Sequence, residues 1–144
     1  MQTPQALSTS FIDHILHARR RVKSWQESAY DELANGPTLV RANVINLLEG
    51  DVEGESWEEY LLMYRPDGSC SFVSMERVVG CIGDRSGSFV LQSVGSYKQG
   101  IATGQLTIMP GSATRGLVGL QGEGQFVTLA GSHSTLTLTC AIHI

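Results

Sequence analysis

Residues that favour tight turns recur at short intervals along the chain, and this spacing constrains the fold more than any other feature. The breaks are Asn35-Gly36-Pro37, Gly50 to Gly54, Pro66-Asp67-Gly68, Gly83-Asp84 and Pro110-Gly111-Ser112, whose residue types each favour turn geometry. A parallel return between strands needs a crossover of about a dozen residues or more. Consecutive strands are therefore expected to be antiparallel neighbours. The eight strand-like segments are Ala18–Glu27, Thr38–Glu49, Ser56–Arg65, Ser69–Ile82, Ser86–Gly95, Gly100–Met109, Arg115–Val127 and Ser134–His143.

The number and polarity of these segments favour a closed barrel. After residue 17 no helical pattern is long enough to connect parallel strands, which excludes α/β folds. Mixed polarity on both faces fits a barrel better than an open sheet, whose two edges would stay unpaired. A two-sheet sandwich is the main alternative, and periodicity alone does not separate the two. The expected fold class is all-β, an eight-stranded antiparallel closed barrel.

The start of the chain carries a different pattern. Ser10 is placed to cap a short helix, with Asp13 three residues on, and one apolar stripe follows from Phe11, Ile12, Ile15 and Leu16. A helix of about two turns is unstable alone and must lie on something. We therefore expect residues 1–17 to form a short helical arm, packed on a barrel domain of residues 18–144 or on a neighbouring subunit. The stripe favours a homo-oligomer.

Composition limits the compartment and the partners. The formal net charge of −4 argues against a general nucleic-acid binder. Three cysteines, an odd and sparse set, indicate reduced thiols. No apolar run approaches the ~20 residues needed to cross a membrane, and Met1 to Ser10 lacks the pattern of a signal peptide. We expect a cytoplasmic protein without nucleic-acid or membrane partners. The basic cluster is expected to be a solvated edge or a set of ion-pair partners: Arg19, Arg20, Arg21 and Lys23.

The turn between Arg65 and Ser69 predicts the register of one hairpin. Pro66 presets the first turn position and Gly68 supplies the positive φ that closes a three-residue loop. A slip of one residue or a bulge would exchange the two faces, and which face lines the barrel is left open. If Arg65 faces Ser69, one face carries the pairs Tyr64–Cys70, Leu62–Phe72, Tyr60–Ser74 and Glu58–Glu76.

Several short motifs occur together between about residues 18 and 128. They are Lys23-Ser24-Trp25, Tyr30-Asp31-Glu32, Glu59-Tyr60-Leu61-Leu62, Tyr64-Arg65-Pro66-Asp67-Gly68, Phe72-Val73, Glu76-Arg77, the run Arg85 to Gln92 and the run Gly116 to Gly124. Together these motifs resemble a bacterial family, domain of unknown function 3224. The family is similar to the eight-stranded barrels of the allene oxide cyclase type, so the resemblance implies the same fold class. Allene oxide cyclase is an isomerase that acts on a fatty-acid-derived epoxide, and the resemblance implies such an activity by analogy of fold alone.

Glu58 and Glu76 are the candidate catalytic residues. Directly opposite residues on one face have Cβ atoms ~5 Å apart. If this face lines the barrel, the two carboxylates share a low-dielectric space, so that one of them binds a proton and the pair supplies an acid and a base. Tyr60, Tyr64 and Phe72 would form the ligand-binding wall beside them. Alternatively, one or both acids point to solvent or pair with an arginine: Arg65, Arg77 or Arg85.

No pattern in the sequence points to a metal or a cofactor. His14 and His17 lie three residues apart, but no cysteine or carboxylate stands at metal-ligand spacing from them. The acidic residues between Glu49 and Glu59 lack the order of a calcium loop. The glycine-rich runs do not open a helix and are not phosphate loops. We expect neither metal nor cofactor.

Two classes of function stay open, and the sequence does not decide whether the protein is an enzyme. The first is a barrel that binds one small apolar or amphipathic molecule, with cyclase- or isomerase-like activity by analogy of fold. The second is a non-catalytic, oligomeric interaction module whose barrel is filled. An empty interior cavity would favour the first class, and a filled barrel with a large apolar interface would favour the second.

Overall fold

A computed structural model describes residues 11–129 and 133–143 of the 144-residue chain. Almost every residue of this part lies in a strand or a tight turn, as the spacing of turn residues predicts. A single 3-10 turn, Arg115–Leu117, lies in the connection between β6 and β7. The strands are β1 (Phe11–Glu32), β2 (Thr38–Gly50), β3 (Val52–Tyr64), β4 (Cys70–Ile82), β5 (Arg85–Lys98), β6 (Ile101–Ile108), β7 (Gln121–Leu129) and β8 (Ser134–His143).

The strands close into one barrel in the order β1 to β8, and β1 completes the circle by pairing with β8. Every neighbouring pair is antiparallel. The predicted all-β, eight-stranded antiparallel closed barrel is thus confirmed, and the sandwich alternative is wrong. Closure gives each strand a neighbour on both sides, whereas an open sheet has two edge strands. Within the described part, no helix is long and apolar enough to cross a membrane.

The expected helical arm is not supported. Phe11–His17 is the first part of β1 and pairs with β8, with Leu16 opposite Leu138 and Ile12 opposite Ile142. A two-turn helix has few internal hydrogen bonds, whereas this segment, as a strand, extends a ladder with a neighbour that the sequence pattern could not reveal. Residues 1–10, including the proposed cap Ser10, lie outside the described residues.

The predicted register of the β3–β4 hairpin is confirmed. Tyr64 lies opposite Cys70 and Glu58 opposite Glu76, as the turn chemistry requires. The Arg65 N–H donates to the Ser69 carbonyl at 2.8 Å, and Gly68 has a φ of 87°, a conformation that favours glycine. The face that carries the two glutamates is the one that lines the barrel, because both side chains are buried.

A bulge in β1 decides which way its second half faces. Val22 lies opposite Asn46 and Ser24 opposite Ile45, so Lys23 is an extra residue in the ladder. The extra residue inverts the alternation of faces. Trp25 is therefore opposite the buried Val44 and shares its inner face, although uninterrupted alternation would have turned it outward.

A row of small and large residues shapes one end of the interior. Across four neighbouring strands, Phe72 lies opposite Gly95, Gly95 opposite Gly104, and Gly104 opposite Phe126. A Cβ atom on Gly104 would collide with the Phe126 ring, and one on Gly95 would lie 2.9 Å from Phe72 Cζ. The two glycines thus leave the space that the two phenylalanine rings occupy, with ring centroids 6.1 Å apart.

Candidate functional site

One end of the barrel opens into a cavity of about 540 Å³, which we call the mouth cavity. Three ring side chains follow one another along its wall. The Trp25 and Tyr60 ring centroids are 5.3 Å apart, and those of Tyr60 and Phe72 are 5.5 Å apart. Phe126 lines the same space. Among the residues that the structure describes, no charged side chain lines the mouth cavity.

Hydroxyl groups supply much of the polarity at the mouth cavity. Tyr64 and Tyr97 line it, and so do Thr128 and Ser134, whose hydroxyl oxygens lie 2.5 Å apart. Burial raises the pKa of Tyr64 to about 12, so its hydroxyl stays protonated near neutral pH. The cavity can therefore offer neutral hydrogen-bond donors and acceptors to a bound molecule.

Three charged side chains are buried behind the aromatic wall. Arg20, Glu58 and Glu76 are 3%, 3% and 0% exposed. Arg20 Nη1 donates to Glu76 Oε1 at 2.5 Å and lies 3.9 Å from Glu58 Oε2. The Arg20 guanidinium also lies over the Phe126 ring, 5.0 Å from its centroid, a favourable placement for a cation.

Three neutral side chains complete what we call the buried network. Asn46 Nδ2 donates to Glu58 Oε1 at 3.0 Å and to Glu76 Oε2 at 3.2 Å, so that one amide bridges the two acids. The Ser74 hydroxyl donates to Glu58 at 2.6 Å, and the Ser56 hydroxyl donates to Glu76 at 2.5 Å. The buried network is Arg20, Asn46, Ser56, Glu58, Ser74 and Glu76. These donors satisfy carboxylate oxygens that would otherwise be costly to bury.

The surroundings of the buried network raise the pKa of one of its two acids, Glu76. Burial raises the pKa of Glu76 to about 6, and attraction by Arg20 opposes this while repulsion by Glu58 adds to it. Burial lowers the pKa of Arg20, but the carboxylates of Glu76 and Glu58 outweigh it and the net shift is upward. Arg20 thus stays charged, and the Glu76 carboxyl gains or loses its proton near pH 6.

Tyr60 belongs both to the mouth cavity and to the surroundings of the buried network. Its ring lines the cavity, and its pKa is raised well above the usual value by burial first and then by the Glu58 charge. A side-chain hydrogen bond with Glu58 adds to this upward shift. The phenol is therefore a neutral donor that connects the cavity wall to the acid pair.

All the residues singled out from the sequence lie on the inner face of β3 or β4, but not in one place. Tyr60, Tyr64 and Phe72 line the mouth cavity, where the ligand-binding wall was predicted. Glu58 and Glu76 lie behind that wall and do not line the cavity. Their catalytic role stays a prediction. The arginine that faces them is Arg20, which is none of the three arginines considered as partners.

The basic cluster of β1 divides between the two faces of the strand. Arg19 pairs with Glu49 at 2.8 Å and Lys23 with Glu55 at 3.1 Å, both on the exposed side. Arg20 turns inward, because even-numbered residues of β1 before the bulge face the interior. The prediction of ion-pair partners is confirmed for Arg19, Arg20 and Lys23. The alternative, a solvated edge, is wrong for Arg20, which is buried.

The sequence and the structure agree on the family. The family model described as Protein of unknown function (DUF3224) matches residues 17–139. The chain belongs to this family. It is similar in structure to a protein with unknown function from the DUF3224 family of Shewanella oneidensis MR-1, with a TM-score of 0.72 and 25% identity over 91% of this chain and 96% of that one. No curated protein matches the sequence.

Several site residues of this DUF3224 protein were missed by the sequence reasoning. Trp25 and Phe126 complete the cavity wall, and Arg20 and Asn46 complete the network. The alternation of β2 offers a signal for Asn46, since it lies between the apolar positions Val44 and Leu48 on one face. In the part of the chain that the structure describes, no three His, Cys, Asp or Glu side chains are grouped so as to hold a metal ion.

Proposed function

We propose that this protein binds a neutral, largely apolar small molecule in the mouth cavity. The observation that carries the proposal is an aromatic-walled cavity of about 540 Å³ with no charged side chain among the described lining residues. This volume lies within the roughly 300–1,000 Å³ typical of ligand sites. A charged ligand would lose hydration there without gaining a charged partner, which is unfavourable.

The wall also favours a ligand with a flat or unsaturated part. Trp25, Tyr60 and Phe72 present ring faces and edges at centroid separations of 5.3 and 5.5 Å, which leaves their arrangement set before a ligand arrives. Aromatic rings gain about 0.5–1.5 kcal/mol from such contacts beyond the burial of area. The hydroxyls of Tyr64 and Tyr97 are placed to orient one polar group of the ligand.

In this proposal the buried network is a support for the wall. Tyr60 is packed between the Trp25 and Phe72 rings in front of the network, and a wall fixed in advance lowers the entropic cost of binding. Glu58 and Glu76 do not line the mouth cavity, so any acid–base action of theirs on a ligand held there would have to pass through Tyr60. An isomerase activity is therefore not part of the proposal.

The two tryptophans provide a matched test of the site. Trp25 lies in the wall of the mouth cavity and is 41% exposed, whereas Trp57 lies on the outer face beside the charged Glu59 and Arg77 and is 48% exposed. Bromo-octanol, a neutral apolar quencher of tryptophan fluorescence, should quench the Trp57→Phe variant saturably, because this variant keeps Trp25. The Trp25→Phe variant, which keeps Trp57, should show only weak, non-saturating quenching.

A cavity-filling variant and a matched surface variant separate binding in the mouth cavity from nonspecific binding to the protein surface. Ala102 lines the mouth cavity, and Thr103 is its exposed neighbour on β6. In the Trp57→Phe background, Ala102→Leu should weaken quenching by bromo-octanol and Thr103→Leu should not. Quenching by the anion bromo-octanoate should be weaker than quenching by the alcohol. Equal quenching by both, or loss in neither Leu variant, would refute the proposal.

A second candidate function, self-association, is favoured by one observation on the outer wall. Leu61, Val73 and Val94 form a cross-strand row and are 42%, 44% and 51% exposed. An exposed apolar row of this kind on a sheet face favours burial against another surface. Light scattering should then give a multiple of 15.6 kDa, and Val73→Lys should return the mass to that of one chain. A monomer at every micromolar concentration tested would end this candidate.

A further inference from the structure

The opposite end of the barrel holds a second cavity, of about 530 Å³, which we call the base cavity. Its floor is apolar, since Leu16, Leu117, Leu120 and Ile142 line it and are all at least 92% buried. Two of these four belong to the connection between β6 and β7, which folds over this end of the barrel. The floor is therefore a built surface that still leaves an open space above it.

Hydrogen bonds hold the covering connection in place. The Thr114 N–H donates to the Ser88 carbonyl at 2.8 Å, and the Ser88 N–H donates to the Thr114 hydroxyl at 3.0 Å. The Val90 N–H donates to the Ser112 hydroxyl at 3.0 Å. These contacts position Leu117 over the interior without help from a ligand, so the base cavity is formed in advance of binding.

The rim of the base cavity is charged, in contrast to the mouth cavity. Among the described residues that line it, Asp51, Glu53 and Asp84 are acidic, Arg85 is basic, and His14 is also present. Asp51 is fixed by accepting a hydrogen bond from the His17 N–H at 2.8 Å. Arg85 donates to the Gly116 carbonyl at 3.3 Å, toward the covering connection. Three acidic residues against one arginine give the described part of this rim an excess of formal negative charge.

We propose that the base cavity binds an organic cation that carries an apolar tail, such as a long-chain amine. The tail would lie on the floor formed by Leu16, Leu117, Leu120 and Ile142, and the ammonium group would lie among the rim carboxylates. The described His, Cys, Asp and Glu side chains form no group that could hold a metal ion, so the attraction acts on a bulky cation through the field of the rim. The two ends of the barrel then select ligands of different charge.

Amide chemical shifts of the isotope-labelled full-length chain locate binding directly. Octylammonium should shift the amides around Leu117, Ile142 and Asp84 in a saturable way, and should leave those around Tyr60 and Phe72 unchanged. Octanoate, with the same tail and the opposite charge, should bind at least tenfold more weakly at this end. Octanol should lie between the two, since it has the tail without the charge.

Rim variants test the role of charge at a matched site. Glu53 and Asp84 are exposed, so Glu53→Gln and Asp84→Asn should fold normally. Each should weaken octylammonium about fivefold, the effect of one nearby charge in water, and leave octanol unchanged. Glu59→Gln makes the same charge change on the outer wall, where Glu59 pairs with Arg41 at 3.3 Å, and should have no effect.

Three results would overturn the inference. The first is octanoate binding as tightly as octylammonium, the second is rim variants that behave like Glu59→Gln, and the third is shifts confined to the mouth cavity. Failure here is independent of the function proposed for the mouth cavity, because that function is measured at Trp25, at the other end of the barrel.

Discussion

Replacing Glu76 by glutamine tests the electrostatics of the buried network. Burial raises the pKa of Glu76 from 4.5 to about 6, in spite of the attraction of Arg20 and with the help of repulsion by Glu58. The folded protein therefore binds more protons than the unfolded chain between these values. A group whose pKa is raised by folding therefore adds to the unfolding free energy below its unfolded-state pKa. This contribution is lost as the pH rises through its folded-state pKa.

The size of this loss follows from the shift. A rise from 4.5 to about 6 in pKa corresponds to about 2 kcal/mol of unfolding free energy. About 1 kcal/mol of this stabilisation is lost between pH 5 and pH 8. Glutamine cannot ionise, so Glu76→Gln should gain about 1 kcal/mol relative to the wild type over this interval. The attraction of Arg20 for the ionised Glu76 is already included in the pKa of about 6. Only the part of the contact that does not depend on pH shifts the variant equally at both pH values and cancels in the difference.

Urea denaturation at pH 5 and pH 8 measures the difference directly. Glu59→Gln is the matched control, because Glu59 is exposed and pairs with Arg41 outside the barrel; its stability relative to the wild type should be the same at both pH values. If Glu76→Gln instead loses stability relative to the wild type as the pH rises, the pKa of Glu76 is lowered in the folded protein. The attraction of Arg20 would then outweigh burial, contrary to the reasoning.

Three further outcomes follow from the packing. Arg20→Met should lower the unfolding free energy by about 3–5 kcal/mol at neutral pH, because it leaves two buried carboxylates without the facing cation. Arg19→Met should lower it by less than about 1 kcal/mol, and equal losses of the two variants in urea denaturation would contradict this. Gly104→Ala should lower the unfolding free energy by about 1–3 kcal/mol, since the added methyl group collides with the Phe126 ring. Phe126→Leu in the same chain should recover part of this loss, and a double-mutant cycle without coupling would rule out the contact. A thiol reagent should label the exposed Cys81 before the buried thiols in the native protein, and peptide mapping that finds a buried thiol labelled first would disprove the assigned burial.

The hairpin of β3 and β4 shows which features can be predicted from local chemistry. Its register depends on the turn from Arg65 to Ser69, in which Gly68 adopts a positive φ and the two flanking residues are hydrogen-bonded. These requirements involve residues only a few positions apart. Glu58 and Glu76 could therefore be paired from the sequence, and Tyr60 and Phe72 placed on the same face.

One wrong expectation, the helical arm, and one residue missed from the cavity wall, Trp25, have a common cause in partners that are distant along the chain. Phe11–His17 forms a strand because β8 lies beside it, and an apolar stripe seen alone does not reveal that neighbour. Trp25 faces the cavity because the bulge at Lys23 inverts the strand, and a bulge depends on the ladder with β2. Local propensity was overruled in both places by pairing across the sheet.

The sequence by itself determined the all-β class, the antiparallel pairing of consecutive strands and the pairing of Glu58 with Glu76, because turns and alternation act over a few residues. Only the tertiary structure decided that Arg20, 56 residues away from Glu76, would meet it inside the barrel. It also decided which face is the interior and that each end holds a cavity of different charge. Closure of the barrel brings β1 against β8 and collects side chains from every strand, and that convergence depends on all strands at once.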